Sequence, residues 1–172
     1  MTGARRYIGL DPGLRNTGWG VIEAENNNLR HIANGSVATD SSLETAQRLR
    51  QLHDGLAEVL ARWSPTEAAV EETFVNRNAR STLQLGLARG VVLLAPALVG
   101  LSIFEYSPNK IKKSVVGAGH ADKHQVDVMV RHLLPGCEPA DMDATDALAV
   151  AICHVHHAAL NRRTLVLQAA AV

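Results

Sequence analysis

The stretch YIGLDPGLRNTGWGVI, residues 7–22, reads as two strands joined by a turn. An apolar ramp (Tyr7, Ile8, Leu10) ends on Asp11, Pro12 and Gly13 turn the chain, and a second strand covers Thr17 to Ile22. A carboxylate at the tip of a buried strand is costly unless it is paired or binds a cation. Gly18 and Gly20 stand where side chains would otherwise stiffen the second strand. Glycine there weakens a strand and marks a place where something comes close to the backbone. The expectation is that Asp11 holds a metal and that the glycines admit a phosphate backbone.

Outward from this hairpin, Leu29 to Val37 gives a third strand. "DSSLE" (40–44) opens a helix, with Ser41 and Glu44 spaced as a capping box. Leu49, Leu52, Leu56, Val59, Leu60 and Trp63 recur at helical spacing up to Ser64-Pro65. A short strand, Ala68 to Glu71, runs into the polar loop "ETFVNRNARS". A helix over 81–95 is expected to stop at Pro96, and a fifth strand spans Leu101 to Tyr106. Pro108 suits the first position of a helix reaching about Val116. Val126, Met129, Val130, Leu133 and Leu134 mark another helix, ended by Pro135-Gly136. The last runs from near Asp141 through Leu160. The order βββαβαβ followed by helices predicts an α/β domain with a mixed sheet. We expect one domain over 1–160 and a tail, 161–172, that is disordered or loosely docked.

The chain has 172 residues and no net charge, but its charge is unevenly placed. Residues 1–72 carry 7 basic and 10 acidic side chains, 73–131 carry 8 and 3, and 132–172 carry 2 and 4. A basic centre flanked by acidic segments suits a polyanion-binding surface beside an acidic site, or a chance cluster on a solvated face. No run of apolar residues long enough for a membrane span is read, and the start holds no export signal. Cys137 and Cys153 form no metal motif and no disulfide framework. A cytoplasmic setting is expected.

Three places put acids where a core disfavours them: Asp11 and Glu71 at strand ends, and Asp143 with Asp146 on one face of the last helix. Each has a plainer reading, as a turn residue, a wet strand end or first-turn acids favoured by the helix dipole. Together they form a set that repels itself unless cations bind. All-oxygen ligands select Mg²⁺ or Mn²⁺ over zinc. Two such ions can clamp the attacking and leaving oxygens of a phosphodiester. His154 and His157 lie one turn apart, but no third soft ligand accompanies them, and zinc is disfavoured.

"IGLDPGLRNTGWGV", "AVEETF", "LQLGLARGV", "FEYSPNKIKKSVVGAGHADKHQV" and "DATDALAVA", in this order from Arg6 to about His157, resemble the RuvC family of bacterial Holliday-junction resolvases. The resemblance implies a ribonuclease-H-like fold with a five-stranded mixed sheet. It implies Mg²⁺-dependent cutting of four-way DNA junctions by paired nicks, with two ions per subunit and Mn²⁺ able to substitute. Its acidic ligands fall on Asp11, Glu71, Asp143 and Asp146. Its backbone-contacting lysines fall on Lys112 and Lys123, and its base-contacting aromatic on Phe74. It also implies a homodimer and work alongside the RuvA–RuvB branch-migration machinery.

Further candidates for phosphate contacts are Arg77, Arg80, Lys110 and Lys113, which position a nucleic acid without reading its sequence. The helix over 83–101 is apolar almost all round, more than one sheet contact requires. Leu83, Leu87, Val91 and Leu94 are therefore candidates for a dimer interface. Two other readings are a noncatalytic junction-binding module and, because the hairpin resembles a phosphate loop, a fragment of an actin or sugar-kinase-like phosphotransferase. The first would be expected to lose acids from the set, and the second needs two such domains.

Overall fold

The computed structural model describes residues 3–25, 28–73 and 78–169, with side chains through Ala158. Five strands and five helices follow one another: β1 (Arg5–Asp11), β2 (Asn16–Glu25), β3 (Asn28–Ala38), α1 (Thr45–Trp63), β4 (Glu67–Glu71), α2 (Ala79–Leu98), β5 (Ser102–Tyr106), α3 (Pro108–Val116), α4 (Lys123–Leu133) and α5 (Met142–Ala169). The strands form one sheet in the order β3-β2-β1-β4-β5. β1, β2 and β3 are antiparallel neighbours, while β4 runs parallel to β1 and β5 parallel to β4. The expected mixed α/β sheet is the one observed.

The period of two along each strand sorts the side chains between two layers. Ile8 and Leu10 of β1 and Ala68 and Val70 of β4 join Leu52, Leu56 and Leu60 of α1 and Ala88 and Val92 of α2. Tyr7 and Ala69 point the other way, into a second core with Ile111, Val126, Val130, Leu148 and Ile152 of α3, α4 and α5. Each fully buried leucine or isoleucine contributes about 1.5–3 kcal/mol of transfer free energy. The sheet is thus the middle of three layers, and its strand ends are free to carry a site.

The glycines of the opening hairpin have a different use from the one expected. A Cβ on Gly9 would overlap the carbonyl oxygen of Ala147, and one on Gly18 the carbonyl oxygen of Asp143. A Cβ on Gly20 would stand 2.7 Å from Leu148 Cδ2. What comes close to these backbones is α5, not a nucleic acid. The helix meets them with Ala144, Ala147 and Ala151, all fully buried, so that helix and sheet backbones nearly touch.

Several local expectations are also corrected. Ser41 and Glu44 form no capping box. Glu44 occupies the N-cap of α1 without a side-chain bond, and Asp40 instead accepts from the N–H and hydroxyl of Ser42. The capping box that does form, between Asp122 and Gln125, starts α4. α2 continues past Pro96 to Leu98, because a proline in the last turn forfeits one bond without ending the helix. α2 is also long and apolar enough to cross a membrane by length and composition, which corrects the expectation that the chain holds no such run. Here Ala88, Val92 and Ala95 of that helix are buried in the domain, and Arg89 pairs with Glu105 of β5. Cys137 and Cys153 are both buried and free.

Candidate active site

Asp11 and Glu71 sit side by side because Leu10 pairs with Val70 in the parallel β1–β4 ladder, one residue before each acid. Both project at the carboxyl ends of parallel strands, the edge at which open α/β sheets place their ligands. The turn after Asp11 is pinned by Thr17. Its hydroxyl donates to the Gly13 carbonyl at 2.7 Å and accepts from the Gly13 N–H at 3.2 Å. α5 crosses this edge with its first turns, bringing Asp143 and Asp146 in from above. All four expected acids are half-buried and lie in one neighbourhood.

The crowding shows in the protonation of the pair. Burial pushes the Asp11 carboxyl up to about 8, helped by the negative charges of Glu71, Asp146 and Asp143. The neighbouring Glu71 carboxyl favours the protonated form of Asp11, and Asp11 in turn favours the charged form of Glu71. Burial, then the charge of Asp146, also raises Glu71. The bond from Asp11 and the cations of Lys123 and Lys112 act against that rise. Lys123 Nζ lies 3.0 Å from Asp146 Oδ2, and this bond raises the lysine above its ordinary value. Like charges about 4 Å apart repel by about 4 kcal/mol near a protein surface. The raised Asp11 and Glu71 carboxyls and the Lys123–Asp146 ion pair ease that cost.

A cleft of about 370 Å³ opens over these groups, lined by Asp11, Glu71, Lys112, Lys123, Asp146 and Thr73, among others. Glu72, which the sequence reading passed over, lines it too. The donor set is all carboxylate oxygen, the chemistry of a hard divalent cation. Among the described residues, no three His, Cys, Asp or Glu side chains converge as a finished cage.

Of the other expected residues, Lys112 is half-buried at the cleft, while Arg80, Lys110 and Lys113 are exposed and do not line it. Lys110 rests its ammonium 5.0 Å from the centre of the Tyr106 ring. Phe74 and Arg77 lie outside the described residues. Leu83, Leu87 and Leu94 are exposed on the outer side of α2, and Val91 is half-buried. His154 is fully buried. It bonds Tyr106 Oη at 2.8 Å and Glu67 Oε2 at 2.8 Å, and so belongs to the core.

With this geometry in view, the family model described as Crossover junction endodeoxyribonuclease RuvC matches residues 7–154. The chain belongs to the RuvC family. The Crossover junction endodeoxyribonuclease RuvC of Paramagnetospirillum magneticum is 62% identical over 88% of this chain and 92% of its own. That of Bradyrhizobium diazoefficiens is 58% identical over 91% and 90%. Among solved structures, Thermus thermophilus RuvC in complex with a Holliday junction substrate superposes with a TM-score of 0.85. It has 33% identity and covers 91% of this chain and 96% of that one. The yeast mitochondrial Holliday junction resolvase Ydc2, at 9% identity and a TM-score of 0.65, shares the fold. The RuvC resemblance and the ribonuclease-H-like fold expected from the sequence both hold. The nucleases of this family are metal-dependent.

Proposed function

We propose that this RuvC-family endonuclease resolves four-way DNA junctions by paired symmetric nicks, with Asp11, Glu71, Asp143 and Asp146 holding two Mg²⁺ ions per subunit. Mn²⁺ is expected to substitute. The observation that carries this reading is that Asp11 of β1, Glu71 of β4 and Asp146 of α5 line one cleft that two lysines also reach, with the charge of Asp143 felt at Asp11 from the same turn of α5. When bound, such ions activate the attacking water and stabilise the leaving oxygen of an in-line displacement. The chain's own residues do the rest. Asp11 and Glu71, once deprotonated, would supply oxygens from adjacent strand ends. Asp143 and Asp146 supply oxygens from one helical face. Lys112, and Lys123 once released from Asp146, hold scissile-strand phosphates against the cleft. Arg80, Lys110 and Lys113, with Arg77 and Phe74 of the loop after Glu71, extend the contact to the junction arms and bases.

The deciding experiment is incubation of the full chain with a synthetic four-way junction, with and without Mg²⁺. Paired nicks that need the metal are expected. Binding without cutting would favour a noncatalytic junction-binding module.

Two nicks need two sites, which a twofold dimer supplies. The exposed Leu83, Leu87 and Leu94, with Val91, form the surface we assign to it. Leu87→Asp is expected to give a folded monomer by light scattering, because a buried unpaired charge costs several kcal/mol. A Leu87→Asp chain that remains dimeric would move the interface elsewhere. Action on chromosomal DNA in the cytoplasm, beside the RuvA–RuvB branch-migration complex, fits this role.

Metal binding is expected to depend on pH in a defined direction. The Asp11 carboxyl rises from an ordinary 3.8 to about 8 in the metal-free fold. A raised value favours the fold at low pH, and that contribution is lost as pH climbs from about 4 to about 8. A cation must displace the proton, so the melting-temperature gain from Mg²⁺ over EDTA should be larger at pH 8.5 than at pH 6. Equal gains at both values would count against Asp11 as a ligand.

A further inference from the structure

β3 lies at the far edge of the sheet from Glu71 and carries none of the four acids, yet two of its side chains hold the start of α5. Ser36, Gly18 and Asp11 form one transverse row, Ser36 paired with Gly18 and Gly18 with Asp11. The first turn of α5 lies across this row. Its middle rests on Gly18 through the Asp143 carbonyl. Its beginning is tied to Ser36, whose hydroxyl donates to Asp141 Oδ2 at 2.7 Å.

Asp141 serves as the N-cap. Its Oδ1 accepts from the Ala144 N–H at 2.7 Å, and its carbonyl accepts from the Thr145 N–H at 3.1 Å. One carboxylate therefore caps the helix with one oxygen and fastens it to the sheet with the other. Asn34, two residues back on β3, grips the preceding segment. Its Oδ1 accepts from the Ala140 N–H at 2.7 Å, and its Nδ2 donates to the Glu138 carbonyl at 3.2 Å. The same Nδ2 lies 2.9 Å from His31 Nε2.

We infer that Ser36 and Asn34 are positioning residues for the metal site, setting the rotation and height of the α5 turn that carries Asp143 and Asp146. The inference rests on the reading of those two acids as metal ligands. Asp143 follows the cap by two residues and Asp146 by five, so any rocking of the capped end moves both carboxylates relative to Asp11. Ligands must stand within a few tenths of an ångström of a cation's preferred distance. Groups that orient ligands in this way typically weaken metal affinity about 10–100-fold when removed. Ser36→Ala leaves Asp141 able to cap Ala144, so the helix should form and only its seating should loosen.

The test compares wild type, Ser36→Ala, Ser36→Thr and Asn34→Ala by Mg²⁺ titration of the melting temperature, and by the Mg²⁺ needed for half-maximal junction cleavage. Ser36→Ala is expected to raise both half-saturating concentrations about tenfold, with junction binding in EDTA unchanged. Ser36→Thr keeps the hydroxyl and should stay near wild type. Asn34→Ala, which changes no charge, should move in the same direction as Ser36→Ala and decides the matter if Ser36→Ala does not fold. A lower melting temperature in EDTA with wild-type Mg²⁺ titrations would reduce these residues to structural ties and overturn the inference. A wild-type chain showing no Mg²⁺ response would overturn the metal-site reading itself.

Discussion

Asp146→Asn is expected to bind a four-way junction within a few-fold of wild type and to cleave it at least about 10² times more slowly. The separation of the two effects follows from where charge sits. Asp146 is half-buried at the cleft, bonded to Lys123, and contributes to the raised values of both Asp11 and Glu71. Removing its charge takes away a ligand at the point where transition-state charge develops, and losing one such group costs about 10²–10³ in rate. The basic side chains stay, and Lys123 loses its internal partner, so phosphate binding has no reason to weaken. Asp11→Asn, Glu71→Gln and Asp143→Asn should behave alike. A gel-shift titration and a single-turnover cleavage assay on the same junction read both quantities. Full cleavage by any of the four would remove that residue from the site.

The acids were legible because burying a carboxylate is costly. Asp11 and Glu71 stand at strand ends and Asp146 precedes an apolar run with Asp143 one turn before it, each with a plainer reading of its own, and the fold brings the four into one neighbourhood. The element order was legible for the same kind of reason. Alternation in β1 and helical spacing in α1 are local properties, and the sheet honours both. Local signals failed where two fitted the same stretch. Ser41 and Glu44 had capping-box spacing, but the structure turns on Asp40 instead, while Asp122 and Gln125 make a box at the start of α4.

Contacts between distant parts of the chain were out of reach. Nothing near Ser36 signals that it meets Asp141, 105 residues away. The glycines lie between these cases. That something approaches Gly18 and Gly20 was readable, but its identity was not. A complementary signal did exist, since Ala144, Ala147 and Ala151 recur at helical spacing and give α5 one smooth face. Matching small residues on a strand and a helix would have pointed to close packing rather than to a phosphate backbone.

That packing gives Gly9→Ala a large expected effect on stability. The added Cβ would overlap the Ala147 carbonyl oxygen, stand 2.5 Å from the Ala151 N–H nitrogen and 3.0 Å from the Ala151 Cβ. Two of these neighbours are backbone atoms inside a helical ladder, so no rotamer change makes room. Either α5 lifts from the sheet or β1 bows away from it, and both break contacts in a core that includes Leu148 and Ile152. Overpacking a core with flexible neighbours costs about 1–3 kcal/mol. A rigid pair of backbones places this case at or above the top of that range. A domain with about 5–15 kcal/mol in hand would lose a large share of it. The urea midpoint should fall sharply while the slope of the transition is kept. Gly119→Ala is the control, because its new Cβ would meet only the Asn109 carbonyl at 3.8 Å and should shift stability by no more than about 0.5 kcal/mol. Gly18→Ala should combine both defects, since its Cβ would push on the Asp143 carbonyl and displace the acidic turn along with the helix. If Gly9→Ala unfolds at the same urea concentration as Gly119→Ala, α5 does not rest on the bare backbone of β1, and the two acids it carries are held in place by something other than this contact.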